Sequence, residues 1–400
     1  MQQHGRIGED IRQNVQMSCS QYVLDHRRNI PAVCVSESKV KALAADDVNI
    51  QAILCGSPTM QDSNMLSDKV IQALVSFSWY RCINAKPNIE VAKRAVSMAK
   101  AFGNKTYIAS SLWNLWCLGE TYCYLGEYHA GYDHLQEAYH LYNALLPGDR
   151  ELQKLCCQCG IDMVDAACVI FKDGDKMVTL ARDVAKQAAT VSDDHIHAES
   201  LMMLGKVMVD FGNRREALRH LEHANLKQMG VVSLSSSIFY WIALAHYHEN
   251  RLPEALDAAE EAWKLIEPDN DIVDYAQYSF LLGRILFSAN RDMEAWKYIE
   301  ISLTMNLELG NRRDSARTLE YMGYGYLRKG DYLNAYGAYE AAAEHFLGTV
   351  LEKQGCTRCK DNMAKIKDMQ RNPDLNVGFE RPGADVDWPA LFYPGAAASV

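Results

Sequence analysis

Twelve cysteines and twelve histidines stand among the 400 residues, and their spacing sets what chemistry the chain could do. Cys356 and Cys359 form a C-x-x-C pair. Zinc would require two further ligands at comparable spacing, and thiol exchange would require a βαβ setting. The sequence offers neither. Cys156, Cys157 and Cys159, with Cys168 beyond, are denser, but adjacent cysteines on a helix point to different faces, so two or three at most could converge. His220 and His223 lie three apart, and His246 and His248 lie on the next helical stretch, a spacing that could share a metal across neighbouring helices. Packing and ordinary hydrogen bonding account for these clusters more simply. Gly103-Asn104-Lys105-Thr106 lacks the upstream glycine and the preceding strand of a phosphate loop, and reads as a turn between helices. No nucleophile elbow, H-E-x-x-H, Walker loop or dinucleotide fingerprint occurs. The expectation is a non-enzyme, with no catalytic, cofactor or metal residues.

The elements that position these residues form an internal repeat. Leu319, Met322, Gly323 and Tyr326 mark one apolar helical stripe. Lys329-Gly330-Asp331 then breaks the helix: glycine suits the left-handed position past a helix end, and the aspartate can cap the next helix. Tyr332, Ala335, Tyr339 and Ala342 form the second stripe of a helix–turn–helix hairpin. Gly323 has counterparts at Gly283, Ala243, Gly205, Ala167, Gly119 and Tyr80, separated by 40, 40, 38, 38, 48 and 39 residues. Ala335 has them at Ala295, Ala255, Ala217, Thr179, Gly131 and Ala92, and Ala342 at Ser302, Ala262, Ala224, Lys186, Ala138 and Ala99. Small residues hold 18 of these 21 places, against roughly a quarter expected from average usage. They let the two helices of a hairpin approach closely, and a bulky residue there would overpack the contact by about 1–3 kcal/mol.

These residues carry a family resemblance. Leu118-Gly119, Tyr122, Gly126-Glu127-Tyr128 and Ala138 resemble the tetratricopeptide repeat. So do Met322-Gly323, Tyr326, Gly330-Asp331-Tyr332, Ala335, Tyr339 and Ala342. Leu204-Gly205 with Gly212, Ala217, Leu221 and Ala224, and Leu282-Gly283 with Ala295, give two more matches. The pitch near 40 residues exceeds the usual 34 of the family. The resemblance implies an all-α, right-handed α-solenoid of about seven hairpin units, and a concave groove lined by one helix of each unit. Groove positions of the template fall on Trp116, Glu120 and Cys123, then Met202 and Lys206, Tyr240 and Tyr247, Phe280 and Arg284, and Arg317 and Tyr324. Aromatics and arginines are the residue types that anchor peptide contacts. The lysine–asparagine clamp of chaperone-binding members is not matched: the ninth template position reads Glu120, Lys206, Leu244, Arg284 and Tyr324.

Composition agrees with this reading. Hydrophobic residues make up 48% and charged residues 23%, with only 24 glycines and 10 prolines, a balance that favours a folded helical chain. The expected organisation is an extension over 1–62, the array over 63–346, a capping helix over 347–371 and a proline- and aromatic-containing tail over 372–400. Forty-one basic against 51 acidic residues leave a net charge of −10, which disfavours nucleic acid. No stretch reaches the apolar length of a membrane span, and the first residues lack the apolar core of a secretory signal. Cysteines in such a chain are expected reduced, in the cytoplasm, with the nucleus as the alternative. The expected function is a protein–protein interaction scaffold or adaptor that binds a partner peptide in the groove. The alternatives are a regulatory sensor array autoinhibited by its tail and, third, an enzyme or metal-binding protein using the cysteine or histidine clusters.

Overall fold

The computed structural model describes residues 68–83, 89–121, 128–145, 149–171, 173–228, 230–266, 272–347 and 353–371, with Ser18, Cys19, Gln21 and Ile50. Fifteen α-helices, and no strand, form among these described residues. The tail over 372–400, to which the autoinhibitory reading attaches, lies outside them. The chain divides into two compact units: Met1–Asp173 with Asp183–Ile196 and Leu391–Val400, and Gly174–Arg182 with His197–Ala390.

The first unit holds α1 (Asp68–Ile83), α2 (Ile89–Phe102), α3 (Lys105–Thr121), α4 (Tyr128–Leu145) and α5 (Arg150–Ile170), each packed on the next. On α2, the buried face is Val91, Ala92, Ala95, Met98 and Ala99, the spacing of one helical stripe. Ile50 and Cys19 join the core that this face makes with Val70, Leu74 and Phe77 of α1. Gly103 takes a left-handed φ of 80°, and the Asn104 side chain accepts from the Thr106 and Tyr107 N–H groups at 3.0 and 3.2 Å. The stretch that resembled a phosphate loop is therefore a C-terminal glycine followed by an N-cap. Buried polar bonds tie helices together: Asn114 donates to the Val75 carbonyl at 2.8 Å, and the Trp113 indole to Asp162 at 2.6 Å.

Helices α6 (Gly174–Ala188) and α7 (Asp194–Asp210) cross the boundary between the units. On α6 the small-residue template slips. Thr179 and Lys186 are exposed, and the buried small residues stand two places later, at Ala181 and Ala188, on a face shared with Met177, Val184 and Ala185. The close approach in this hairpin is made from α5, where a Cβ on Gly160 would lie 3.0 Å from the Tyr139 ring and 3.1 Å from Val184.

The second unit continues with α8 (Arg214–Lys227), α9 (Val232–His248), α10 (Leu252–Lys264), α11 (Ile272–Ser288), α12 (Asp292–Glu308), α13 (Arg312–Arg328), α14 (Tyr332–Leu347) and α15 (Lys353–Arg371). Ala217, Ala255, Ala295 and Ala335 are all fully buried, as are Ala224, Ser302 and Ala342. A Cβ at Gly283 would meet Ile299 at 2.6 Å, which is why glycine sits there. One kind of turn closes three of the hairpins. Asn250, Asn290 and Gly330 are left-handed, with φ of 60°, 58° and 74°. The N–H of each donates to the third carbonyl back, at Tyr247, Phe287 and Leu327. The N–H of the next residue donates to His246, Leu286 and Tyr326. This paired closure satisfies helix-end carbonyls, and asparagine tolerates the left-handed region better than other residues with a Cβ. After Gly330, Asp331 accepts from the Asn334 N–H at 3.1 Å.

Helix α15 packs on α14. Its C-x-x-C cysteines are core residues, packed with Tyr339, Ala342 and Phe346. Between them, Arg358 makes a two-pronged bond to Glu320 of α13, with both N–O distances 2.9 Å. Glu320 is only 4% exposed at its side chain.

Candidate functional site

In the second unit, α9, α11 and α13 pack on one another as well as on their hairpin partners. Each is thus a neighbour of the next repeat's first helix, and residues one repeat apart meet. Tyr240 of α9 stacks on Tyr278 of α11, with ring centroids 4.8 Å apart, and the Tyr278 hydroxyl donates back to Ser237 at 3.2 Å. Phe280 of α11 meets Tyr321 of α13 edge-on at 5.2 Å.

Arg284 is the centre of this strip. Its guanidinium carbon lies 5.1 Å from the Tyr247 ring, 5.4 Å from Tyr321 and 5.6 Å from Phe280. These are cation–π distances, so the rings of three consecutive first helices surround one permanent charge. Nε donates to the Tyr321 hydroxyl at 3.2 Å. Ser288, bonded to the Arg284 carbonyl at 2.7 Å, lies 3.3 Å from the Tyr247 hydroxyl and steadies that ring. Desolvation pushes the Tyr240 phenol up, with smaller contributions from Arg284, Asp314, Asp210 and Arg317. Burial, then Arg284 and Arg214, lowers His248 to about 4, so it is neutral at neutral pH.

The structure places the expected groove residues in three groups. Tyr240, Tyr247, Phe280 and Arg284 come together in the strip. Arg317 lies near it and bonds Asp314 at 3.2 Å, while the Tyr324 ring lies 5.9 Å from the Arg328 guanidinium. Met202 and Lys206 are instead packed inside, 2% and 0% exposed. Lys206 lies on α7 with its ammonium 5.2 Å from the Trp241 ring of α9, so the following repeat covers it. Trp116 and Glu120 fall on α3 of the first unit, and their side chains, like Cys123, lie outside the described residues. The sequence reading missed Tyr321, Tyr278 and Trp241. The signal for Tyr321 is its place 37 residues after Arg284, one repeat on and within reach of the arginine fork.

The cysteine and histidine clusters have other roles. Cys156 donates to the Tyr139 carbonyl and Cys159 to Leu135. Burial pushes the Cys156 thiol up to about 12 and Cys157 to about 11, far from the thiolate that metal binding or nucleophilic attack uses. His220 faces Glu216 of its own helix at 3.8 Å, and His223 packs edge-on against His197. No group of three or more metal-ligating side chains gathers among the described residues, and no described helix is long and apolar enough to cross a membrane.

Known structures resemble this arrangement. A Rap protein complexed with competence and sporulation factor matches over 90% of this chain and 98% of its own, with 12% identity and a TM-score of 0.53. The chain has a tetratricopeptide-like helical-repeat fold. Two further matches are aspartyl phosphate phosphatase F from Bacillus subtilis (10% identity, 93% of this chain and 97% of that one, TM-score 0.48) and the apo form of the quorum sensor NprR from B. thuringiensis (12% identity, 83% and 97%, TM-score 0.47). No protein-family model and no curated protein matches the sequence. The all-α solenoid expected from the repeat is thus the fold class observed.

Proposed function

We propose that the chain is a protein-interaction module that holds a segment of a partner polypeptide along the strip made by α9, α11 and α13. The observation that carries this reading is the aromatic cluster around Arg284: Tyr247, Phe280 and Tyr321 from three successive repeats, set on packed helices. Rigid aromatics and arginine give binding energy at low entropic cost. Cys156 and Cys157 are buried and held neutral, whereas the partly exposed Tyr247, Phe280 and Arg284 are equipped for recognition. The Rap protein of similar fold was crystallised with a bound factor, so in that protein the fold is compatible with holding a partner. An adaptor of this kind works by shape and a few anchors, with no bond made or broken.

The test is a quantitative pull-down with the full-length chain, a Phe280→Ala/Tyr324→Ala variant and a Leu226→Ala control on the exposed face of α8. Partners held by the strip should be depleted from the double variant and retained by the control. Identical partner profiles from all three proteins would defeat the proposal.

A further inference from the structure

Arg284 has one unusual property within the strip. Its Nε is taken by Tyr321, but no described residue accepts from Nη1 or Nη2, and every other contact it makes is with an aromatic face. Arg284 is half-buried, and neither terminal nitrogen belongs to the buried, unpartnered atoms of the structure, so this edge of the guanidinium keeps a narrow access to solvent. Other arginines of the unit have carboxylates: Arg317 has Asp314, Arg328 has Asp292 and Arg358 has Glu320. The ring faces and the Tyr321 bond replace only part of the water that the Arg284 guanidinium loses, and an arriving anion recovers the rest.

We infer that Arg284 is the receptor for a side-chain carboxylate, an aspartate or glutamate, of the bound polypeptide segment. This inference rests on the peptide-binding reading above and names the chemistry of the occupant. Two features select a carboxylate. The free edge presents two parallel N–H donors, the fork that matches a carboxylate's two oxygens. The second is charge: Arg284 has no carboxylate partner among the described residues, whereas Arg317 is paired with Asp314, so the fork holds one positive charge for a monoanion to match. The partly exposed rings of Tyr247 and Phe280, with the buried Tyr321 behind them, add a preference for an apolar or aromatic residue beside the acid. The arrangement is a single fork in an aromatic cage, distinct from a lysine–asparagine clamp.

The test uses a display library of random seven-residue peptides with amidated C-termini, selected on the full-length chain. The inference expects enriched sequences to carry Asp or Glu next to an apolar residue. Changing that acid to Asn or Gln in the best peptide should weaken binding about 10- to 100-fold, the worth of a charge-assisted pair. Arg284→Gln, which keeps an Nε-like donor for Tyr321, should cause a similar loss with an unchanged circular-dichroism spectrum and leave the acid-to-amide change without further effect. Arg284→Lys should recover only part of the affinity. Peptides that bind, and lose binding in Phe280→Ala/Tyr324→Ala, yet tolerate the amide change would overturn the carboxylate assignment and leave the peptide-binding reading standing. Peptide affinity that rises when Asp385 and Asp387 of the full chain are both changed to asparagine would make the chain's own tail the occupant, and overturn the assignment to a partner. No enrichment over blank support would overturn both readings.

Discussion

Removing Arg358 tests whether α15 is held by one buried pair. Glu320 is 4% exposed and Arg358 22%, and two N–O distances of 2.9 Å join them. Changing Arg358 to methionine keeps an unbranched apolar side chain but removes the ion partner of a buried carboxylate. Stranding a charge in a protein interior costs about 3–5 kcal/mol. Because Arg358 reaches solvent, water can enter beside Glu320, and a figure of about 2–4 kcal/mol is the more realistic one. That cost falls on the docking of α15 to α13 and should be read locally, by hydrogen exchange of α15 amides under native conditions. An opening made easier by about 2–4 kcal/mol raises exchange by roughly 30- to 700-fold, while the amides of α9 stay protected. The partner control is Glu320→Met with Arg358→Met, which removes both charges and should restore most of the protection, since a hydrophobic pair of similar volume is often as stable as a buried ion pair. If α15 exchanges at its original rate in the single variant, or the double variant is worse than the single, the pair does not hold the helix.

Two other outcomes follow from the geometry. Gly283→Leu and Gly323→Leu place atoms where a Cβ alone would already lie 2.6 Å from Ile299 and 2.9 Å from Tyr339; despite better helix propensity, each should cost at least about 2 kcal/mol, seen as a lowered denaturation midpoint, and an unchanged midpoint refutes the close packing. His248, lowered from an ordinary 6.5 to about 4 by burial beside Arg284 and Arg214, takes up a proton in the unfolded chain before the folded one. Its stabilising effect is complete above pH 6.5 and is lost progressively towards pH 4, by about 2–3 kcal/mol. His248→Gln should flatten the stability–pH curve over that window relative to wild type, and parallel curves would contradict the assignment.

The helical repeat was legible because close packing leaves a mark on residue size. Positions such as Ala217, Ala255, Ala295 and Ala335 are fully buried, and only small side chains fit between helices there. The reading slipped at α6, where Gly160 on the preceding helix approaches Val184 and the buried small residues, Ala181 and Ala188, stand two places beyond the template. The site was legible in part. Tyr247, Phe280 and Arg284 announced themselves by type and position, but Tyr321 did not, because its role comes from the Arg284 fork one repeat away rather than from its own helix. Lys206 misled for the opposite reason: a charged residue at a groove position reads as exposed, yet the α9 tryptophan covers it. Pair formation across repeats, as in Glu320 and Arg358, depends on the vertical offset of neighbouring helices, which a single helix's periodicity does not encode.

The ties between repeats have a mechanical meaning. Arg182 to Glu216, Arg284 to Tyr321, Arg358 to Glu320, Arg328 to the Phe287 carbonyl and Ser288 to Tyr247 reach across 34, 37, 38, 41 and 41 residues. Each is a rivet between a repeat and its immediate neighbour. A pulling force applied along the second unit would therefore meet them one after another, and the unit should lengthen in hairpin-sized steps. The same short reach lets a released hairpin re-dock on the one beneath it without waiting for the rest of the chain.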